Sequence, residues 1–363
     1  MLLKKLLNLT KKIICLVVLC TQISMYSTVE EKPLIKNNKN HPSFFQKIND
    51  TVNTIITRIK NLFTAKNYAI IEYANTRYAG RMEDRHVIDE NNGIYAVFDG
   101  HGGQSAAQYI VDSNIVSNKT PRIVLYINNA QQKKSNDSQA LKASLALIEN
   151  ELWNNADTYN TYDYLSPYYY GEKEEYGASG ATAIVAKKTS DILTLANVGD
   201  SRAVLIRNGK IIQTTIDHKP SNIAEKERIL KAGGFISKGY VGLGSVGFAL
   251  TRSIGDINAK KSMHDQVASS QTTSHYSPIL LAEPDIYTWP IEKNDILLLA
   301  SDGLWDTMDS SFNANDNRKL QKYLNNLDLK KQTINLNKIV KDLKIEAVKK
   351  GSRDNITILV VRF

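Results

Sequence analysis

The chain has 363 residues, of which 42% are hydrophobic and 23% charged, an ordinary globular composition that can bury a sizeable core in one large domain or two small ones. The net charge of +9 invites a nucleic-acid reading, but Lys4, Lys5, Lys11 and Lys12 lie in a first stretch of 27 residues that contains no acid. No block of basic residues interleaved with aromatics follows, so nucleic acid is not an expected partner.

The N-terminus sets lysines ahead of an apolar run, Ile13–Cys20, and then small and polar residues around Ser24–Ser27. That is the layout of a secretory signal peptide over residues 1–27, and it is too short for a firm transmembrane helix. An uncleaved membrane anchor is the alternative, so the chain is expected to be secreted or membrane-tethered, with a cytoplasmic location as the other reading. Cys15 and Cys20 both fall in this leader. A mature chain would then carry neither disulfides nor thiolate metal ligands.

Residues 28–67 read as a polar linker, rich in lysine and asparagine, followed by an amphipathic helix. Phe44, Phe45, Ile48, Val52, Ile55, Ile56, Ile59, Leu62 and Phe63 recur at three- and four-residue spacing. Such a helix docks on its own domain or on a membrane or partner surface.

From residue 68 to the C-terminus the pattern alternates strand and helix signals within one domain. Strands are predicted at Ile94–Phe98, Thr182–Ala186, Ile192–Val198, Ala203–Arg207, Ile211–Ile216, Ile296–Ala300 and Ile356–Arg362, with Asn208-Gly209 as a hairpin turn. Helices are predicted at Gly103–Val116, Gln139–Asp157 and Asn335–Lys349, and another at Asn222–Lys231, capped by Ser221 and stopped by Gly233-Gly234. Hairpin-linked strands with helices at both ends of the sequence point to stacked antiparallel sheets covered by helices. The tyrosine-rich stretch Thr158–Gly177 lacks periodicity and reads as a surface insertion.

The informative feature is where acids fall. Tyr95–Gly103, "YAVFDGHGG", runs an apolar strand into Asp99, His101 and three glycines. A turn would explain Asp-Gly and Gly-Gly, and a bound cation would explain a costly charge at a buried strand tip. Asp302 and Asp306 follow another apolar strand, Asp200 a third, Asp354 precedes the last, and Glu83 and Asp84 precede "RHVI". A turn or a helix cap accounts for any one of them. Together, hard oxygen ligands on rigid strands suit Mg²⁺ or Mn²⁺.

These residues sit in strings that resemble the metal-dependent type 2C protein serine/threonine phosphatases. The strings are "MEDRH" (82–86), "VFDGHGG" (97–103), "SGATA" (179–183), "NVGDSRAVL" (197–205), "DHKPSNIAEKERILKAGG" (217–234), "ALTRSIGD" (249–256), "AEPDI" (282–286), "ASDGLWD" (300–306) and "GSRDNITILVV" (351–361). They occur in the family's order and span nearly all of 68–363.

The resemblance implies an α+β fold, a four-layer αββα sandwich of two antiparallel sheets flanked by helices, with a binuclear Mg²⁺ or Mn²⁺ site in a cleft at one end. Asp99 would bridge the two ions and the Gly100 carbonyl would help hold one. Asp302 and Asp354 would complete the other, while Glu83 and Asp84 would act mainly through bound water. Asp200, with Asp302 or Asp306, resembles a weaker third-metal position. His101 matches the proposed general acid, and Asp84 is counted with it as catalytic. Such a pair of ions, about 3.5–4 Å apart, lowers the pKa of a water that attacks phosphorus in line.

One position departs from the pattern. Where the family places a phosphate-binding arginine, three residues before the Met of "MED", this chain has Ala79, flanked by Arg77 and Arg81. Arg77 is favoured from its "NTR" context. The expected partners are phosphorylated proteins, acted on by a monomer. The competing readings are a pseudophosphatase binding module on the same fold, motivated by Ala79, and a metal-dependent nuclease, which would need a basic groove. Asn355-Ile356-Thr357 is formally a glycosylation acceptor beside Asp354. Residues 256–281 fall where the family has a variable flap, with His264 and His275 as exposed loop residues.

Overall fold

The computed structural model describes residues 67–74, 81–113, 120–156, 179–243, 246–270, 278–309, 316–326 and 335–363. The leader, the amphipathic helix at 44–63, the tyrosine-rich stretch, Arg77, Ala79 and His275 lie outside the described residues.

The chain order begins β1 (Tyr68–Tyr73), β2 (Arg85–Asp89), β3 (Ile94–Phe98), β4 (Gly100–His101), α1 (Ser105–Val111), α2 (Arg122–Gln132) and α3 (Asp137–Asn155). It continues with β5 (Gly180–Ala181), β6 (Ala183–Thr189), β7 (Ile192–Val198), β8 (Arg202–Arg207), β9 (Lys210–Thr214), α4 (Ile223–Lys231), β10 (Phe235–Ser237), β11 (Tyr240–Leu243) and β12 (Val246–Phe248). It closes with β13 (Ile254–Gly255), α5 (Ile257–Ser270), β14 (Asp285–Pro290), β15 (Ile296–Ala300), α6 (Asp302–Met308), α7 (Arg318–Asn325), α8 (Leu336–Lys349) and β16 (Ile356–Arg362).

Two five-stranded antiparallel sheets form the centre, in the orders β1-β16-β15-β8-β9 and β14-β7-β6-β3-β2. Side-chain alternation along each strand explains why they stack. Tyr95 and Val97 of β3 join Ala203, Leu205, Leu297, Leu299, Leu359 and Val361 of the other sheet in one buried cluster. The intervening Ile94, Ala96 and Phe98 pack instead with residues of α1, α2 and α3. On the far side Val204, Leu298 and Ile358 pack with α6, α7 and α8. Strands buried on both faces read as continuous apolar runs, and the result is the expected four-layer αββα sandwich.

The elements correct the sequence reading in places. Asn222, not Ser221, caps α4, its side chain accepting from the Ala224 N–H at 3.0 Å. The predicted Gly103–Val116 helix starts only at Ser105, because Gly102 and Gly103 take positive φ of 63° and 115°. The strand predicted to reach Ile216 ends at Thr214, where Thr215 turns its hydroxyl onto the Ala203 N–H at 3.0 Å. Residues 256–281 hold a helix, α5, so His264 is helical and not a loop residue. Ile257 and Met263 are buried and anchor its first half, a spacing too sparse to show as periodicity. The Asn208-Gly209 turn has positive φ at both positions, 51° and 80°, as the hairpin requires. No helix among the described residues is long and apolar enough to cross a membrane.

Candidate active site

The two sheets end their central strands side by side, and the acids predicted from sequence gather there. Asp99 follows Phe98, and alternation by one more residue turns its carboxylate toward the gap between the sheets. There its Oδ2 lies 3.4 Å from the backbone N–H of Asp302, which opens α6 directly after β15. Asp99 is clamped from the backbone: its N–H donates to Thr182 Oγ1 at 3.1 Å, its C=O accepts from the Thr182 N–H at 2.8 Å, and Thr182 Oγ1 meets Ser201 Oγ at 2.6 Å. Asp99 is thus held on a rigid strand end and not on a mobile loop.

Asp84 is 1% exposed, and its Oδ2 accepts from Ser301 Oγ at 2.9 Å, tying the β2 approach to the β15 exit. Its other oxygen, Oδ1, is buried with no hydrogen-bond partner among the described residues. Glu83 is anchored through its backbone, whose N–H donates to Asn355 Oδ1 at 2.7 Å. Gly100 lies so close that a Cβ would meet the Glu83 carbonyl at 2.6 Å, so any side chain there would push the Glu83–Asp84 loop away. Gly303 plays the matching part opposite, where a Cβ would meet the Asn355 carbonyl at 1.9 Å. Asn355 is 3% exposed, which shields it from glycosylation once the chain has folded.

Electrostatics record the crowding of like charge. Burial pushes the Asp84 carboxyl up to about 6, with the Asp354 charge adding to it. Asp99 is raised well above the carboxylate range by burial and then by Asp84, Asp302, Asp354 and Asp200. Asp302 is raised likewise, by burial and then by Asp200 and Asp306. In Asp354 burial again leads, partly offset by the Asn355 N–H, which donates to Oδ1 at 2.8 Å. Buried acids that repel one another, one with an orphaned oxygen, call for a cation.

The residues therefore fit a divalent metal. Among the described residues no three of these groups close on one common point.

The sequence reading missed two residues here. Lys219 Nζ lies 2.6 Å from Asp306 and 3.4 Å from Asp200, so an ammonium already occupies the position read as a third metal site. Asp256 meets His101, its Oδ2 2.7 Å from Nε2. Burial alone would lower the His101 pKa, but the charge and hydrogen bond of Asp256 outweigh it and the ring is held above its ordinary value. The signal for Lys219 was its place two residues after Asp217 in "DHKP"; Asp256 closes "ALTRSIGD", but nothing in the sequence pairs it with His101, 155 residues away. Arg81 stands at the rim, with Nε 3.4 Å from Glu83 Oε1.

Comparisons with known proteins agree with this geometry. The family Protein phosphatase 2C matches residues 72–356. A relative from Arabidopsis thaliana, "Probable protein phosphatase 2C 59", is 32% identical over 310 residues, covering 82% of this chain and 76% of its own. Among solved structures, a Caenorhabditis elegans sex determining protein superposes with a TM-score of 0.57 at 20% identity, over 91% of this chain and 76% of that one. A phosphatase from a pathogenic strain of Toxoplasma gondii gives 0.55 at 20% identity, over 82% and 92%. At such identity the two structures speak for the fold alone.

Proposed function

Since the chain belongs to the protein phosphatase 2C family, we propose that it hydrolyses phosphoserine and phosphothreonine in proteins with two divalent ions held at the cleft. The observation that carries this reading is the convergence of Asp84, Asp99, Asp302 and Asp354 from both sheets, with an unpartnered buried oxygen on Asp84. Asp99, Gly100, Asp302 and Asp354 would hold Mg²⁺ or Mn²⁺, with Glu83 and Asp84 acting through water. The ions, when bound, would supply an activated water near neutral pH and neutralise phosphate charge.

The chain's own part is positional and protonic. Thr182 holds the Asp99 backbone and Ser301 the Asp84 carboxylate, so the site is organised before substrate arrives. His101 would hold a proton for the serine or threonine oxygen as it leaves, a contribution on the order of 10²–10⁴ in rate. Arg81 at the rim, or Arg77, would take the phosphate with its guanidinium fork. Lys219 would compete with any third ion for Asp200 and Asp306. Retention of every carboxylate speaks for an enzyme over a binding module.

The test is phosphate release from phosphoserine, phosphothreonine and phosphotyrosine peptides with Mn²⁺ and with chelator. Release from the first two, abolished by chelator, is the expected result; no release from any peptide contradicts the reading. Sequencing the N-terminus of the protein recovered from its cells would show whether the leader is cleaved for export or kept as a tether.

A further inference from the structure

We propose that Asp256 is the positioning residue of His101, fixing the imidazole with Nε2–H turned to its carboxylate so that proton exchange with substrate is confined to Nδ1. The inference rests on the phosphatase reading above and names a partner for its acid.

Three features of the fold build this pair. The small sheet β13-β5-β4 sets Gly255 opposite Gly180 and Gly180 opposite His101, so the two partners come from the strands either side of Gly180. Only glycine fits between them: a Cβ on Gly180 would meet Asp256 Oδ2 at 2.2 Å and His101 Nε2 at 2.4 Å. Asp256 itself takes a φ of +54°, a conformation uncommon for a residue with a side chain, and its N–H is held by the Ser179 carbonyl at 2.9 Å. Its carboxylate is 2% exposed and accepts from Ser253 Oγ at 2.6 Å as well as from His101. By contrast 31% of the His101 side chain is open. A buried anion, oriented by a hydroxyl and bonded to a half-open imidazole, is the arrangement by which a carboxylate fixes ring orientation and tautomer.

A carboxylate can only accept, so Nε2 carries hydrogen and Nδ1 is the nitrogen left to exchange a proton with substrate. In the reaction, water oxygen bonds to phosphorus while the phosphorus–oxygen bond to serine breaks. The electron pair stays on the serine oxygen, which takes the Nδ1 proton, and the ring keeps Nε2–H on Asp256. A proton from the attacking water later restores Nδ1.

The experiment compares Asp256→Asn, His101→Asn and the double variant, with Mn²⁺, on a phosphoserine peptide and on p-nitrophenyl phosphate, whose leaving group needs no proton. Asp256→Asn is expected to lower kcat on the peptide about 10- to 100-fold with KM unchanged, to stay within about threefold on p-nitrophenyl phosphate, and to add nothing to His101→Asn. Equal losses on both substrates, or losses that multiply in the double variant, overturn the proposal while leaving the phosphatase reading intact. A wild-type enzyme silent on both substrates overturns that reading instead. The tautomer is read independently of activity and of any variant's folding, by nitrogen-15 NMR of the wild-type protein. A neutral His101 ring with its hydrogen on Nε2 supports the pair, and a neutral ring with its hydrogen on Nδ1 and a bare Nε2 overturns it.

Discussion

Asn355 accepts the backbone N–H of Glu83 through Oδ1 at 2.7 Å, joining the start of the last strand to a loop 272 residues earlier. The contact places Glu83 and Asp84 beside Asp354 and makes Asn355 a structural keystone of the cleft. Replacing it with Ala leaves a part-buried N–H without its acceptor. Asn355→Ala is expected to lower unfolding free energy by about 1–3 kcal/mol and to weaken Mn²⁺ binding, read by denaturant titration and calorimetry. Unchanged affinity would show that the loop is held by other means.

Repulsion among the buried acids predicts a protein that is less stable without cation. Mn²⁺ at about a hundredfold over its dissociation constant is expected to stabilise the fold by about 2.7 kcal/mol, seen as a rise in Tm. Asp99→Asn removes one of the mutually repelling buried charges. This variant should melt higher than wild type in chelator and gain little from Mn²⁺. A lower Tm in chelator would mean that Asp99 has a stabilising partner other than a metal.

Lys219 fills the space between Asp200 and Asp306 with its own ammonium. Lys219→Met is expected to tighten the weakest Mn²⁺ binding step about tenfold, a difference of about 1.4 kcal/mol, in a calorimetric titration. Superimposable isotherms would show that the lysine and the ion do not share the position.

Glu225 gives the acid limb of stability. Burial opposes its charge, but hydrogen bonds from Arg252, Arg228 and Thr251 win and hold it down at about 2, against an ordinary 4.5. With the folded value below the unfolded one, the stabilisation is complete above about pH 4.5 and is lost as pH falls toward 2. It amounts to something on the order of 3 kcal/mol. Glu225→Gln should therefore be less stable than wild type at pH 7 and converge on it near pH 2. Denaturation curves that stay parallel from pH 7 to pH 3 would contradict the assignment.

The parts of this architecture that sequence displayed are those where one side chain decides its own environment. Ile94–Phe98 and Ile296–Ala300 are buried along their whole length and Ile192–Val198 and Ile356–Arg362 along most of it, so apolar runs announced them, and the acids beside them were conspicuous by contrast. What could not be read depends on a partner brought from far along the chain. Asp256 was only the first residue of the variable 256–281 stretch until the small sheet set it across Gly180 from His101. Lys219 was only one residue of "DHKP", and the folded cleft alone gives it Asp306, 87 residues on. Ser221 and Asn222 are both good caps one residue apart, a choice made by where the chain enters α4 and not by propensity.

The central claim, that carboxylates of the two sheets share divalent ions that carry out phosphoester hydrolysis, is tested most directly by one comparison. Initial rates of phosphate release from a phosphoserine peptide are measured at saturating Mn²⁺ for wild type, Asp99→Asn and Asp302→Asn. Wild type is expected to be active and each variant to lose about a thousandfold or more, the several kcal/mol that charge stabilisation by bound metal contributes. An inactive wild type, or variants that stay within tenfold of it, would contradict the claim.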